Sequence, residues 1–492
     1  MQGQINIKDL GKNSIFHSSG IFFGKAFNFA LKIISLKILG LELLGIYVFL
    51  NLITQYYSYL FFGISYALPR IIPTLQAKKN YSEIAKFRSV TNIFHLFVHS
   101  ILFIFFIIFT KYFHSEDVYG FSKLNLCLVF LTAFFSQVAT LINSHLKSIG
   151  EFTKKTVNSA LVRVFFPILS ITLIYFYELE GYFAAGLIIN AINAINLISF
   201  CISKNLNIFN FNYFSLRILR DNMMLGISML VSKKYTDILF TIFMTFLGFN
   251  FSKAIVGEVG FLTSIFNSLS QLIGPYFLVA ERRLYLLKEM AGLRSNDLVN
   301  LSFGNTMIFG LLMNFFSLSM FFLIPIFFNE LEKSLMIIPL LAIMFSIKNS
   351  ILINDFYINA FEKFFNRNFI ALLVLIVFTY VLNLEISGTQ VNYFLLAYII
   401  ALSIYKIFMQ IQSLFFFKTK TNIIKTILGD FLSVFLIFSL PYFMIQNDLN
   451  LFSSIVLFCL LMILTTLVYL ENPRSLLKRL YNFLNRDLSY KK

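Results

Sequence analysis

The chain has 492 residues, 58% of them hydrophobic and 13% charged, with a net charge of +17. A soluble domain is nearer a quarter charged, so this composition excludes a soluble enzyme and points to the membrane. Apolar runs of 18 or more residues recur from end to end, each long enough to cross a hydrocarbon core of ~30 Å as a helix.

The chain opens with the polar stretch MQGQINIKDLGKNS, and no small-residue cleavage pattern follows the first apolar run, so no cleavable signal peptide is expected. Span one runs over about 15–38 and carries Lys25, Asn28 and Lys32 at i, i+3 and i+7, one face of a helix. Span two, about 45–68, puts Asn51, Gln55 and Tyr59 on one stripe. Spans three to six follow at about 89–110, 124–146, 157–177 and 183–203. In span six Asn190, Asn193 and Asn196 recur every third residue, a pattern suited to hydrogen bonds between helices. Span seven, about 222–248, carries Lys233, Asp237 and Thr241 at i+4 steps, with Lys234 beside that face. Span eight, about 256–280, carries Glu258, Asn267 and Gln271. Spans nine and ten, about 298–324 and 334–357, add Lys348, Asn349 and Asp355 in the second. Four more spans complete the chain at about 369–385, 391–414, 426–445 and 451–470. The expectation is an all-α polytopic membrane protein with about fourteen transmembrane helices.

Basic residues divide by side. Eight alternate segments, including both termini, hold 28 Lys and Arg, while the opposite loops hold Lys111, Lys253 and Lys333. That asymmetry places both termini in the cytoplasm. It also accounts for the positive charge without nucleic acid, because the basic residues are scattered and form no patch. The outer loops are too short to fold as a catalytic domain. The sequence carries no phosphate-binding loop, no HExxH and no CxxC, and neither enzyme nor cofactor is expected. Cys127, Cys201 and Cys459 fall within apolar runs and read as small buried residues. His17, His95, His99, His114 and His145 read as scattered; His95 and His99 share a helix face but lack a third ligand for a metal.

A Lys at mid-bilayer costs roughly 2.5–3.5 kcal/mol on insertion scales, so such residues call for a reason. The face formed by Lys25, Asn28, Lys32, Asn51, Gln55, Lys233, Lys234, Asn267, Gln271 and Lys348 would line a cationic cavity rich in amides. Competing readings are structural. Lys37 can snorkel to the outer surface. Lys233 can serve only as the ion partner of Asp237. Arg163 and Lys406 lie near cytoplasmic ends and read as topological. The carboxylates Asp237, Glu258 and Asp355 are candidates for ion coupling.

A faint repeat relates the halves. Leu39-Gly40 closes span one and Leu247-Gly248 closes span seven, and the same offset lays Lys25 on Lys233. In the next helix Glu42, Asn51 and Gln55 fall on Glu258, Asn267 and Gln271. The offset grows by eight residues between the two helices, which suggests an insertion in the outer loop around Phe249–Ile255.

The stretches ILGLELLGIYVFLNLI, FFGISYALPRIIP with its basic loop, and AIVGEVGFLTSIFNSL resemble the Wzx-type O-antigen and polysaccharide flippases. These belong to the multidrug/oligosaccharidyl-lipid/polysaccharide exporter (MOP) superfamily. The resemblance implies two pseudo-symmetric six-helix lobes around a central cavity, residues 1–210 and 211–417. Two extra helices at 418–470 and a basic cytoplasmic tail at 471–492 would follow. It implies an undecaprenyl-pyrophosphate-linked oligosaccharide as substrate, moved across the bacterial inner membrane by alternating access. Membrane lipids, a polysaccharide polymerase and a chain-length regulator would be its partners. A lipid II flippase of the same superfamily is a rival, though arginines would be expected in its cavity. A cation-coupled drug exporter is another, though its cavity would be acidic or apolar. A membrane-embedded polymerase or ligase is disfavoured by the short outer loops.

Overall fold

A computed structural model describes residues 7–112, 122–149, 152–204, 211–270, 364–383 and 391–417, with a few further positions, most of them between 331 and 351. Spans nine, thirteen and fourteen lie outside the described residues, as do Gln271, Asn349, Asp355 and Cys459. Among the described residues there is no strand. The chain forms two compact units, Met1–Ala291 with Asp355–Tyr405, and Gly292–Asn354 with Lys406–Lys492. The first unit carries nearly all the detail.

The described helices are α1 (Ile7–Tyr59), α2 (Ile64–Ala77), α3 (Tyr81–Tyr112), α4 (Lys123–Ile149), α5 (Phe152–Ser203), α6 (Leu216–Asn250), α7 (Lys253–Ser270), α8 (Phe364–Asn383) and α9, which begins at Val391 and runs to Phe417. Two of these are hairpins. In α1 the backbone leaves the helical region at Gly40, at φ 69°. The Lys32 ammonium lies 5.4 Å from the Tyr47 ring centre, whereas a straight helix would separate two residues at that spacing by about 22 Å. The chain therefore reverses at Gly40, a conformation that costs a residue with a Cβ roughly 1–2 kcal/mol and glycine little. In α5 the reversal is at Glu178, at φ 47°, and Phe166 and Tyr182 meet at 6.4 Å across it.

Span two ends earlier than its hydropathy suggests. α1 stops at Tyr59, Phe62 and Gly63 take positive φ, and α2 begins at Ile64. α2 is short and well buried, with Ile64, Ala67, Leu68 and Ile72 inaccessible, and it packs on α4 and α6. The repeat also differs at its turns. Where α1 reverses on one glycine, α6 continues to Asn250 and α7 starts at Lys253, so most of the extra residues lengthen helices rather than a loop.

Burial is inverted relative to a soluble protein. The outward residues of α3 are Leu96, Phe97, Ile104 and Phe105, while its buried face includes Ser89, Thr91, Asn92 and His95. α4 likewise buries Asn125, Gln137, Ser144 and His145. Apolar outside and polar inside is the arrangement that lipid demands, since polar groups in hydrocarbon must be satisfied by the protein. Five described helical segments are long and apolar enough to cross a membrane: Tyr81–Tyr112, Lys123–Ile149 and Val391–Met409 as single helices, and Phe27–Tyr59 and Val164–Ser203 as the segments that reverse at Gly40 and Glu178. The chain is a multi-pass membrane protein. Lys123 opens α4 at the end that alternates with the basic segments, so the loop asymmetry in basic residues is 28 to 4.

The second half of α1 packs along α7 more extensively than any other described pair. Gly45 meets the backbone of Lys253, and Gly257 meets the carbonyl of Leu41. Neither position has room for a Cβ. Without a hydrophobic force between helices in lipid, close approach of this kind supplies the packing energy.

Candidate functional site

The polar residues of the second half of α1 reach α6 rather than lipid. The Thr241 hydroxyl donates to the Gln55 side-chain oxygen at 2.5 Å. Tyr59 and Thr241 hydroxyls lie 3.0 Å apart, and those of Tyr56 and Thr245 lie 2.8 Å apart. One helical turn before Thr241, the Lys234 ammonium donates to the Asp237 carboxylate at 2.9 Å. Gln55, Tyr56, Tyr59, Lys234, Asp237, Thr241 and Thr245 thus form a polar ladder between the two predicted repeat-leading helix pairs. Interhelical hydrogen bonds in membranes average ~0.6 kcal/mol each, so these three contribute about 2 kcal/mol. That is small beside the α1–α7 packing. The Lys234 and Asp237 side chains stay 42% and 32% accessible, and Tyr56 is 40% accessible. These polar groups stay only partly covered within the bundle.

The other predicted site residues divide. Lys25 and Lys233 lie on α1 and α6, with side chains outside those described. Among the described residues Asp237 pairs with Lys234, the neighbour of Lys233. Asn28 donates to the Gly24 carbonyl at 2.7 Å, a bond within its own helix. Asn51 accepts from the Thr54 hydroxyl at 3.0 Å. Asn190 likewise bonds its own helix, at the Gly186 carbonyl, instead of bridging helices. Lys32 donates to the Tyr182 hydroxyl at 3.3 Å and sits over the Tyr47 and Tyr182 rings, which stack 4.0 Å apart. Two cation–π contacts at roughly 0.5–2 kcal/mol each, with a charge-assisted hydrogen bond, match the insertion cost of a Lys. Lys32 therefore needs no ligand to account for it. Asn267 and Glu258 are half-buried on α7. In the second unit Lys348 lies 5.6 Å from the Phe345 ring centre. Lys37 is exposed, as a snorkelling residue should be, but Lys406 is buried at 5% accessibility. Cys201 is buried and Cys127 half-buried, both as free thiols.

Three of the five histidines come together. His95 and His99 of α3 are joined by His145 of α4, whose ring nitrogen lies 3.0 Å from the Asn92 side-chain oxygen. His99 meets the Tyr57 hydroxyl of α1 at 2.7 Å. The helical spacing of His95 and His99 was visible in sequence, but nothing local marks His145 as their neighbour. No cluster of three metal-ligating side chains is present among the described residues.

No protein-family model matches the chain, and no curated protein matches it. Solved structures do. The lipid II flippase MurJ in an inward closed conformation superposes with a TM-score of 0.60 at 17% identity, covering 96% of this chain and 99% of that one. An inward-facing multidrug resistance MATE family transporter of the MOP superfamily gives a TM-score of 0.59 at 13% identity, covering 83% and 100%. The fold is that of the MOP superfamily transporters. A MOP superfamily transporter from Pyrococcus furiosus, at a TM-score of 0.50 and 14% identity, covers 83% of this chain and 97% of its own. Identities this low carry the MOP fold and leave the cargo to be argued from the residues.

Proposed function

We propose that this protein is a MOP-fold flippase that moves an undecaprenyl-pyrophosphate-linked oligosaccharide from the cytoplasmic to the periplasmic leaflet of the bacterial inner membrane. The observation that carries the reading is the partly covered ladder of Gln55, Tyr59, Lys234, Asp237 and Thr241 inside a membrane bundle. A sugar pyrophosphate is anionic and rich in hydroxyls, and crossing hydrocarbon unaided would strip its hydration. Hydroxyl and amide groups can replace that hydration, and the Lys234 ammonium can exchange Asp237 for a phosphate oxygen. Lys25 and Lys233, at equal distances before the Leu-Gly pairs of their helices, are proposed to add charge from the two lobes, 1–210 and 211–417. The prenyl tail stays in lipid, no covalent step is required, and one lobe rocks against the other around a midplane site. Deletion of the gene should leave lipid-linked repeat units on the cytoplasmic leaflet and remove long surface polysaccharide. Normal polysaccharide, in a strain without a second flippase, would refute the proposal.

A lipid II cargo is the second reading, favoured by a fold match that runs over nearly the whole chain. Rescue of a strain depleted of its lipid II flippase would select that cargo over the first.

A further inference from the structure

The interior of α1, α3 and α4 holds a second polar centre, away from the ladder. On α3, Arg88, Asn92, His95 and His99 occupy i, i+4, i+7 and i+11, a single stripe. His95 and His145 are each 1% accessible. The His95 ring stacks on Phe61 with centroids 4.5 Å apart and lies 6.1 Å from the His99 ring. His99 is closed in by Phe134 and Phe61, at 4.8 Å each, and bonds Tyr57. Both ring nitrogens of His95, one of His99 and one of His145 have no hydrogen-bond partner. A neutral imidazole still carries one N–H donor and one acceptor, and leaving such a group unsatisfied in a buried site costs on the order of 1–3 kcal/mol. Phenylalanine or leucine would fill these positions without that cost. Ionisable residues inside membrane bundles are rare, and proton relays built from Asp, Glu and His chains are one of the roles that retain them. Histidine is the side chain whose charge changes nearest neutral pH.

We infer that His95, His99 and His145 form a proton-binding site in the first unit, filled in a conformation that opens the α1–α3–α4 interior. The groups bearing on the three rings, among the described residues, are Tyr57 from α1, Arg88 and Asn92 from α3, and each other. The charged one, Arg88, is cationic, and it lies one helical turn from Asn92, the partner of His145. A second positive charge in this dry packing is therefore disfavoured, and proton uptake requires water or a rearranged Arg88. The proton then acts as a ligand of the open state and shifts the population toward it. This inference is independent of the cargo.

The test is hydrogen exchange of the purified full chain in lipid nanodiscs between pH 8 and pH 5, corrected for intrinsic exchange rates. One proton linked to opening changes the opening equilibrium by up to tenfold per pH unit. Protection over residues 88–99 and 141–148 should fall by that order on acidification, while the α5 hairpin stays unchanged. His95→Phe, which keeps the ring stack on Phe61, should remove the pH dependence. If that variant does not fold, His95→Gln, polar but unable to hold the charge, should do the same. Equal protection at both pH values in the wild-type protein overturns the inference. So does a pH dependence that survives in either folded variant.

Discussion

Lys234 and Asp237 share one helical face at i and i+3, and their ion pair is partly accessible. Exposed pairs of this kind are worth up to ~1 kcal/mol. Removing one partner leaves the other charged among helices. Lys234→Ala and Asp237→Ala should each lower thermal stability in detergent more than the double substitution does, with a coupling of about 1 kcal/mol in the cycle. Additive losses would show the two charges to be independent. A contrast with Lys32 separates structure from cargo binding. Lys32→Met keeps the aliphatic stem beside Tyr47 and Tyr182 but loses the charge, so it should lower stability and leave transport per folded molecule largely intact. Lys234→Gln should abolish transport per folded molecule, with an amide still able to donate to Asp237 and the protein still folded. Complementation of the deletion strain, normalised to folded protein by size-exclusion chromatography, reads both. The sequence marked Lys234 and Asp237 as site candidates and raised an ion pair of Asp237 with Lys233 as a structural alternative; the described pair is with Lys234. Adjacent residues lie about 100° apart around a helix axis, and only a neighbouring helix decides which of them faces inward. His145 was illegible for a related reason, because its partners are over forty residues away in the chain.

At the level of elements, glycine decides which helices can meet. A Cβ on Gly257 would collide with the Leu41 carbonyl, which belongs to a helix backbone and cannot swing aside. A Cβ on Gly186 would meet the Thr132 methyl at 3.6 Å, an ordinary contact. Gly257→Leu should therefore separate α1 from α7 and cost ~3 kcal/mol or more, beyond the usual range for overpacking because backbone has to move. Gly186→Ala should be neutral, or stabilise by a few tenths up to about 1 kcal/mol through helix propensity. Thermal unfolding of the two proteins, measured side by side, checks the pair. A tolerated Gly257→Leu would mean that the two helices do not depend on this approach. Hydropathy alone located most of these helices and the reversal at Leu39-Gly40. It missed the break at Leu60–Gly63, because the residues on both sides are apolar and a window average does not register two positive φ angles. The loop expected around Phe249–Ile255 became helix for the opposite reason. Its residues carry no proline, and with lipid outside, a backbone that stays helical satisfies its own hydrogen bonds.

For the whole molecule, sidedness follows from charge and helix parity together. The hairpin turns at Gly40 and Glu178 and the short α6–α7 connection at Phe251 and Ser252 all fall on the side with few basic residues. The connection between α2 and α3 carries Lys78 and Lys79 on the other side. α3 runs 32 residues from Tyr81 to Tyr112, about 48 Å at 1.5 Å per residue. That is enough to cross the hydrocarbon core and both headgroup regions, so its two ends must lie on opposite faces. Basic residues near short loops are retained in the cytoplasm during insertion, and a ratio of 28 to 4 leaves little competition between alternative orientations. Reporter fusions after Lys79 and Lys420 should therefore be active in the cytoplasm, and fusions after Lys111 and Asn447 in the periplasm. Periplasmic activity at Lys79 would invert every helix in the first unit. It would place the outward ends of the proposed cargo path in the cytoplasm and remove the direction of transport on which the flippase reading depends.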